Sequence, residues 1–282
     1  MFTLKVENQK NEILNLTNNK NYDVIKIDGL APPATALNFT PLVNLDGSIY
    51  NSGRLNNRNI VITIVLHGDI ERNRINLYNY FPIKRKTRLY FKNETRDVYI
   101  DGYVETFECD FFELGEKVQI SILCPNPYFK STDTTIITFA NQVDLFEFPF
   151  SIDAEGIPFS ELIISNTTYY NNGDIDIGMI ITLHALENQI LNPVIFNNTT
   201  NQKFGLNWDL YEGDVITIST IAGEKSVKLL RNGVITNIIN SVQQGSNWLQ
   251  LVSGINELSY QCDEGASALQ ISISAVNIFE GV

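Results

Sequence analysis

The sequence predicts a mainly β protein with a single helix, divided into two domains. Short alternating segments rich in β-branched residues recur along the chain, and only one segment has helical spacing. The charge balance also changes abruptly within the 282 residues: residues 1–130 hold 16 Lys+Arg against 15 Asp+Glu, and residues 131–282 hold 4 against 17. A shift of this kind favours two domains.

The predicted boundary is the motif Cys-Pro-Asn-Pro-Tyr-Phe at 124–129. Proline donates no backbone hydrogen bond and is confined to strand ends and edges, so two prolines in three residues predict that a sheet closes here. The two aromatic residues are expected to fold back over its end. We therefore predict a first domain over 1–130, a second over 161–282, and an ordered connection over 131–160. The aromatic motif at 146–150 makes that connection too apolar for a flexible linker.

In the first domain, each element has its own signal. Strands are predicted at 23–28, at 59–67 with both faces covered, and in a meander over 88–92, 97–112 and 117–123. A turn is expected at Asp-Gly 46–47. Asp69 and Pro82 delimit a helix over 69–81, with Leu77 and with Ile75, Tyr78 and Phe81 at helical spacing. The basic stretch at 84–88 is interpreted as a solvated or subunit-facing loop in preference to a phosphate site.

The second domain is predicted to be nearly all β, as a sandwich or jelly roll. The Asn-Gly dipeptide at 232–233, between alternating runs, predicts a tight hairpin. The predicted strands are 161–165, 175–185, 193–197, 203–208, 214–220, 226–230, 234–239, 247–251, 257–262 and 268–278.

Composition excludes several classes of function. The acidic second half argues against nucleic-acid binding, which needs a basic face. Three widely spaced cysteines, Cys109, Cys124 and Cys262, predict neither a disulfide framework nor a zinc site. The longest apolar run is far shorter than a membrane span, and the first residues do not resemble a signal peptide. We therefore expect a soluble protein made in a cytoplasm.

The sequence contains no catalytic motif of the common families. His67 and His184 lie in strand patterns and have no partner at ligand spacing. Glu108 and Asp110 would share one strand face at about the carboxylate spacing of glycosidases, but a solvated or interface face is the better interpretation.

Two other patterns suggest binding only weakly. Residues 174–178 resemble the opening of a calcium loop but lack its later acidic ligands. Trp208 and Trp248 could stack on sugar rings, although their alternating apolar neighbours favour a place in the core.

An ordered set of short motifs resembles a known family. The first half contains Asn-Arg-Asn-Ile, His-Gly-Asp, Leu-Tyr-Asn-Tyr-Phe, Asp-Gly-Tyr-Val-Glu and the motif at 124–129. The second contains Asn-Asn-Gly-Asp at 171–174, Asn-Pro at 192–193, Glu-Gly-Asp at 212–214, Ser-Asn-Trp-Leu-Gln-Leu at 246–251 and Gly-Ile-Asn-Glu-Leu-Ser-Tyr at 254–260. In this order they resemble the distal tail proteins of long, non-contractile-tailed phages (siphophages) of Gram-positive bacteria, or the related protein of a phage-tail-like particle.

The resemblance implies a β-sandwich belt domain with one helix, followed by a galectin-like jelly-roll domain. It implies a non-enzymatic virion protein at the tail tip, made in the bacterial host cytoplasm. Six copies would form a ring that joins the tail tube to baseplate or host-adsorption proteins. The alternative prediction is a carbohydrate-binding β-sandwich protein that recognises host cell-wall glycans.

The resemblance assigns structural roles to the motif positions and predicts no catalytic, cofactor-binding or metal-binding residue. These positions are Arg58, Gly68, Asp69, Gly102, Pro125, Pro127, Tyr128, Gly173, Asp174, Gly213, Asp214, Trp248, Leu249, Gly254 and Asn256. A near-neutral first domain is expected to pack against copies of itself, and an acidic second domain to stay solvated.

Overall fold

The computed structural model describes residues 2–43, 45–110, 116–140 and 166–282. The chain divides into two compact units. Unit 1 comprises Met1–Asp133 together with Ile278–Val282, and unit 2 comprises Thr134–Asn277. The expected mainly β fold is confirmed, and the expected boundary at residue 130 falls inside a strand.

Unit 1 contains the first nine strands, the start of the tenth and α1, the α-helix of the described residues. Their bounds are β1 Thr3–Glu7, β2 Ile13–Asn15, β3 Tyr22–Asp28, β4 Thr35–Pro41, β5 Ser48–Leu55, β6 Arg58–Leu66, α1 Ile70–Tyr80, β7 Lys86–Lys92, β8 Asp97–Cys109, β9 Lys117–Cys124 and β10 Phe129–Ala140, of which only the first residues belong to this unit.

Two antiparallel sheets share the long strand β8. Its first half pairs with β7 and with the start of β10, and β7 continues through β1 to β2. Its second half pairs with β9, which continues through β6 to β3. A register shift between Val104 and Thr106 separates the halves, as expected where a bulge bends a strand. Strands β4 and β5 pair only with each other.

The core of unit 1 lies between these sheets and under the helix. Alternate residues of β1, β6, β7 and β9 are fully buried, as period-2 patterning requires. Asp69 caps α1 by accepting a hydrogen bond from the Arg72 N–H. Leu77 and Phe81 face the core. Ile75 and Tyr78, which share the helical spacing, are not buried with them and remain 51% and 41% exposed.

Two other expectations for unit 1 need correction. Strand β6 alternates between buried and half-buried residues, so it is fully covered on one face only. The prolines at 125 and 127 do not close the sheet. They form the turn from β9 to β10, whose Lys130 and Ser131 pair with Tyr99 and Val98 of β8.

Unit 2 is a β-sandwich of short strands. The bounds are β11 Thr167–Asn171, β12 Ile180–Ala185, β13 Ile190–Leu191, β14 Val194–Asn197, β15 Gln202–Gly205, β16 Asp209–Leu210, β17 Val215–Ser219, β18 Ser226–Arg231, β19 Val234–Asn237, β20 Gly254–Gln261 and β21 Leu269–Phe279, with 3-10 turns at Ile239–Ser241 and Ala266–Ala268. The last two residues of β21 belong to unit 1.

One sheet has the order β19-β18-β17-β12-β21, with the second half of β10 beside β21. The other has the order β11-β20-β14-β15. Phe139 of β10 meets Tyr260 of β20 with ring centroids 5.5 Å apart, and Tyr169 Oη of β11 lies 3.5 Å from the Ala275 carbonyl oxygen of β21. Both contacts join the two layers.

Most strand predictions for unit 2 are confirmed within a few residues, including the hairpin at 232–233. There Asn232 and Gly233 both have positive φ, at 51° and 77°, as a two-residue hairpin turn requires. The strand expected at 247–251 is absent, and only Leu251 forms an isolated bridge, to Ile177. The expected 161–165 strand, the 146–150 motif and residues 111–115 lie outside the described residues.

Candidate functional site: an exposed β-arm and the nodes that fix each unit

Strands β4 and β5 form a two-stranded arm that is exposed along its whole length except at Leu55. Large apolar side chains are nevertheless frequent on it: Leu37 is 54% exposed, Phe39 49%, Ile49 55% and Tyr50 58%. An isolated two-stranded hairpin is marginally stable in water. The arm is thus a large apolar feature that the described residues of unit 1 leave uncovered.

A bulge gives the arm one apolar and one polar face. The register shifts between Asn38 and Phe39, which places Phe39 opposite Tyr50, and Leu37 lies opposite Gly53. Directly paired residues point to the same side. The Phe39 and Tyr50 rings therefore meet edge-on, with centroids 5.9 Å apart, on the same face as Leu37.

The opposite face of the arm carries mostly polar side chains, although Ile49, which pairs with Thr40, also lies there. Asn38 and Ser52 are paired there, and Asn51 donates a 2.6 Å hydrogen bond to Thr40. The arm is therefore amphipathic although both of its faces are exposed to solvent. This pattern is typical of a strand pair whose apolar face is covered by a binding partner.

Arg58 is a fully buried and heavily bonded member of the predicted positions. It is 1% exposed and donates to four carbonyl oxygens: Nε to Pro127 at 2.6 Å, Nη1 to Gly29 at 2.5 Å and Ala31 at 2.6 Å, and Nη2 to Glu280 at 2.5 Å. Its guanidinium carbon lies 4.5 Å from the centre of the Phe129 ring. Burial lowers the pKa of this guanidinium.

The Arg58 node joins distant parts of the chain. Its guanidinium binds carbonyl oxygens from three segments: the β9–β10 turn, the segment after β3, and residues 278–282. Arg96 extends the node by donating to the Gly281 carbonyl oxygen, and Val282 pairs with Leu30 through a 3.1 Å backbone bond. The proximity of Arg58 and Pro127 was not expected from the sequence.

The other predicted positions of unit 1 occupy turns and one close approach. At Gly102, a Cβ atom would lie 2.5 Å from Ile122 Cγ2 and 2.8 Å from Cys124 Sγ, so only glycine fits between β8 and β9. Gly68 has φ +72° and precedes the cap of α1. Pro125 is exposed, and the Tyr128 N–H donates to the side chain of Asn126 within the turn.

In unit 2, three fully buried asparagines hold residues 250–252. The Asn171 side chain donates to the Leu251 carbonyl oxygen, Asn197 to that of Gln250, and Asn256 to that of Val252, at 2.8–3.0 Å. Asn256 also accepts from the Val252 N–H. Side-chain amides thus replace the strand pairing that was expected at 247–251.

The remaining predicted positions surround this network. Gly173 donates its N–H to the side chain of Asn171, Leu249 is fully buried, and Gly254 has φ +92° and accepts from Asn256. Asp174 is exposed. The described residues contain no cluster of His, Cys, Asp and Glu arranged to hold a metal ion.

Asp214 forms the one buried ion pair found among the described residues of unit 2. Its side chain is 3% exposed and lies 2.6 Å from Nη2 of Arg231, and it also accepts from the Tyr211 N–H at 2.8 Å. Burial opposes ionisation, but the hydrogen bonds from Arg231 and Tyr211 outweigh it and hold the pKa of Asp214 below its ordinary value. Gly213, with φ +81°, makes the turn before it.

The two tryptophans are half-buried, so the expectation that they lie in the core is only partly met. The ring of Trp248 lies 5.2 Å from that of Phe204, and the Nζ of Lys225 lies 5.4 Å from its centre. An occupied face is a poor platform for a sugar. Among the described residues and in the comparisons below, nothing supports the alternative prediction of a glycan site.

The candidate catalytic groups also lie apart from any built site. Glu108 and Asp110 are exposed at the end of β8. His67 is exposed just after β6, and His184 is half-buried in the middle of a sheet. Within the described ranges, no helix is both long and apolar enough to cross a membrane.

Sequence reasoning missed the arm and two of the three buried asparagines, since only Asn256 is among the predicted positions. The arm's signal is the alternation of Leu37, Phe39 and Pro41 before the Asp-Gly turn, which resembles an ordinary half-buried strand. Asparagine is so frequent in this chain that Asn171 and Asn197 do not stand out from the exposed ones.

Together, these observations define a β protein of two units with an exposed apolar arm that the described residues do not cover. Residues 172–274 match the family "Siphovirus-type tail component, C-terminal domain". No curated protein matches the chain in sequence.

The whole chain also has the fold of a known tail protein. It superposes on the crystal structure of SPP1 Dit (gp 19.1), a hub adsorption apparatus protein of Gram-positive infecting phages, with a TM-score of 0.67 and 13% identity over 99% of both chains. A chain of the phage P2 baseplate in its Ca-activated conformation matches with a TM-score of 0.50 and 12% identity, over 97% of this chain and 98% of that one. The Sr-activated form of the p2 baseplate gives 0.51 and 12%, over 98% of both. The expected resemblance to distal tail proteins is confirmed: this is the fold of a phage tail hub component.

Proposed function

We propose that this protein is a structural component of a phage tail tip or of a phage-tail-like particle. In this proposal about six copies form a ring that joins the tail tube to baseplate or host-adsorption proteins, without catalysis. It is made in the host cytoplasm and ends in the virion. The fold shared with SPP1 Dit and the phage P2 baseplate chain supports the class. The exposed apolar face of the arm carries the self-assembly part.

The arm differs from the other strand edges of unit 1, which are protected. The described edge strand β2 has three residues, and β3 carries a register shift after Val24 and an exposed Lys26–Asp28 ion pair. Short length, bulges and charges are the ordinary protection against unwanted pairing. Strands β4 and β5 have seven and eight residues with apolar side chains on one face. A surface left unprotected in this way indicates a partner.

A second copy of the chain is the partner that the composition favours. Unit 1 is close to neutral, so copies can approach without long-range repulsion, whereas the acidic unit 2 disfavours self-contact. We therefore assign ring formation to unit 1 and the solvated outer position to unit 2. The motif positions at the Arg58 node and in the asparagine network keep structural roles within this proposal.

The test is light scattering on the full chain and two variants. The wild type is expected at about six times its chain mass of 31.9 kDa. Phe39→Asp puts a charge on the apolar face and should weaken each contact by about 3 kcal/mol, roughly a hundredfold, as loss of an interface anchor does.

Asn38→Asp is the matched control, because it adds the same charge to the neighbouring residue on the polar face. It should assemble like the wild type. A monomeric wild type, or equal loss of assembly in both variants, would show that the apolar face of the arm does not hold the copies together.

A further inference from the structure

A ring built from one repeated contact is head-to-tail, so the same chain must carry a second, different surface that receives the arm. Resting on the proposed function, we infer that this receiving surface is the exposed side of α1 with the two grooves that adjoin it. The apolar face of the arm of one copy lies along this helix of the next copy.

The exposed side of α1 presents an apolar ridge. Ile75 is 51% exposed and Tyr78 41%, and residues three apart lie on one side of a helix. The Tyr78 ring is fixed edge-on against Phe107 of β8, with centroids 4.8 Å apart. A ring held in place loses little side-chain entropy on binding, so the ridge is prepared for a partner.

Two grooves, each of about 540 Å³, adjoin the ridge. Asn21, Asp69 and Arg72 line one of them. Asn8, Lys10, Glu12, Tyr80 and Arg85 line the other, and Asn76 and Asn79 of α1 border both. Amide side chains donate and accept hydrogen bonds, which suits the unpaired backbone along the outer edges of β4 and β5.

The dimensions of the arm and the helix agree. Seven strand residues extend about 23 Å, and eleven helical residues extend about 16 Å. The arm therefore spans the helix from end to end. It does not cover the helix of its own chain, since Phe39, Tyr50, Ile75 and Tyr78 all remain exposed.

Charge gives the contact a direction. Asp46 near the tip is the arm's only acidic residue. Asp101 engages Lys86 and Arg88 of the basic stretch, whereas Lys84 and Arg85 form no ion pair within the described part of the chain. The tip is thus expected to point toward the groove that contains Arg85.

Photo-crosslinking in the assembled full chain tests this placement. Benzoylphenylalanine is introduced at position 39 or, separately, at position 45, where Leu45 is 70% exposed. Isotope-labelled and unlabelled copies are mixed so that mass spectrometry identifies adducts between copies. Adducts are expected on peptides covering residues 69–85. Assembly with adducts elsewhere would overturn the receiving surface but leave the ring intact, whereas absence of assembly in the wild type would refute the proposed function itself.

A charge exchange provides the second measurement. Asp46→Lys and Arg85→Glu should each weaken assembly about threefold, as loss of an exposed ion pair does, and the double variant should recover it. Lys5→Glu, which changes an exposed lysine on β1, is the control and should have no effect. If the double variant does not recover assembly, Asp46 and Arg85 do not contact each other, and the inferred direction of the arm is wrong.

Discussion

Replacing Arg58 by methionine should destabilise unit 1 and leave unit 2 unchanged. Methionine keeps much of the side-chain volume but removes all four hydrogen bonds to the carbonyl oxygens of Gly29, Ala31, Pro127 and Glu280. Three chain segments would then lose their common anchor.

The expected loss follows from two opposing effects. Each hydrogen bond from a charged donor contributes about 1.5–3 kcal/mol, so four bonds set an upper limit of about 6–12 kcal/mol. Burial of the guanidinium opposes this, as its lowered pKa shows. The exposed segments can also recover water once the anchor is lost. We therefore expect a net loss of about 3–5 kcal/mol, a large part of the stability of an ordinary domain.

The tryptophans make the two units separately observable. Trp208 and Trp248 are the only tryptophans, and both lie in unit 2. In a denaturant titration, tryptophan fluorescence therefore reports unit 2, while far-UV circular dichroism reports both units. The variant should show an earlier first transition by circular dichroism and an unchanged fluorescence midpoint.

Deletion of residues 280–282 is the companion variant. It removes the Glu280 acceptor and the backbone bond between Val282 and Leu30. Because both changes break the same node, the double variant should lose less than the sum of the two single losses. Additive losses, or a fluorescence midpoint that moves as far as the circular dichroism transition, would refute the reasoning.

Two further predictions concern unit 2. Because the folded-state pKa of Asp214 is lowered, its contribution is present above the unfolded value of about 3.9 and is lost as the pH falls through the folded value. Arg231→Met should thus destabilise unit 2 by on the order of 3 kcal/mol at pH 7. In thermal melts, the difference in stability between this variant and the wild type should shrink below about pH 4. A difference that does not depend on pH would contradict this. Trp248→Ala should cost about 1–3 kcal/mol because the ring is half-buried, with assembly unchanged by light scattering, and a variant that no longer assembles would place Trp248 in the interface.

Local patterning predicted the elements whose signals are local. The cap at Asp69 and the Asn232-Gly233 turn each depend on residues within a few positions, and the structure confirms both. The prediction of a strand at 247–251 was wrong because contacts with distant parts of the chain determine the conformation of this segment. Its alternation is real, but three buried asparagines from distant strands bind its carbonyl oxygens and hold it in another conformation.

The functional surfaces were harder to predict because period-2 alternation does not reveal what covers a face. Leu37 and Phe39 have the spacing of a half-buried strand, and only the structure shows that unit 1 leaves them exposed. A bulge adds a second difficulty. It moves Tyr50 onto the face of Phe39, which strict alternation along β5 does not predict.

The role of residues 278–282 changes how the ring-forming part must be tested. Residues 1–130 alone lack the Glu280 and Gly281 carbonyl oxygens that Arg58 and Arg96 bind, and they lack Phe279, which belongs to the core of unit 1. A buried guanidinium without its acceptors is costly, so that fragment is expected to fold poorly whatever its ability to assemble. During synthesis, unit 1 is complete only after residues 134–277 have been made. The Arg58 node therefore makes the arm-bearing unit depend on the chain that follows unit 2, and assembly must be measured on the full chain.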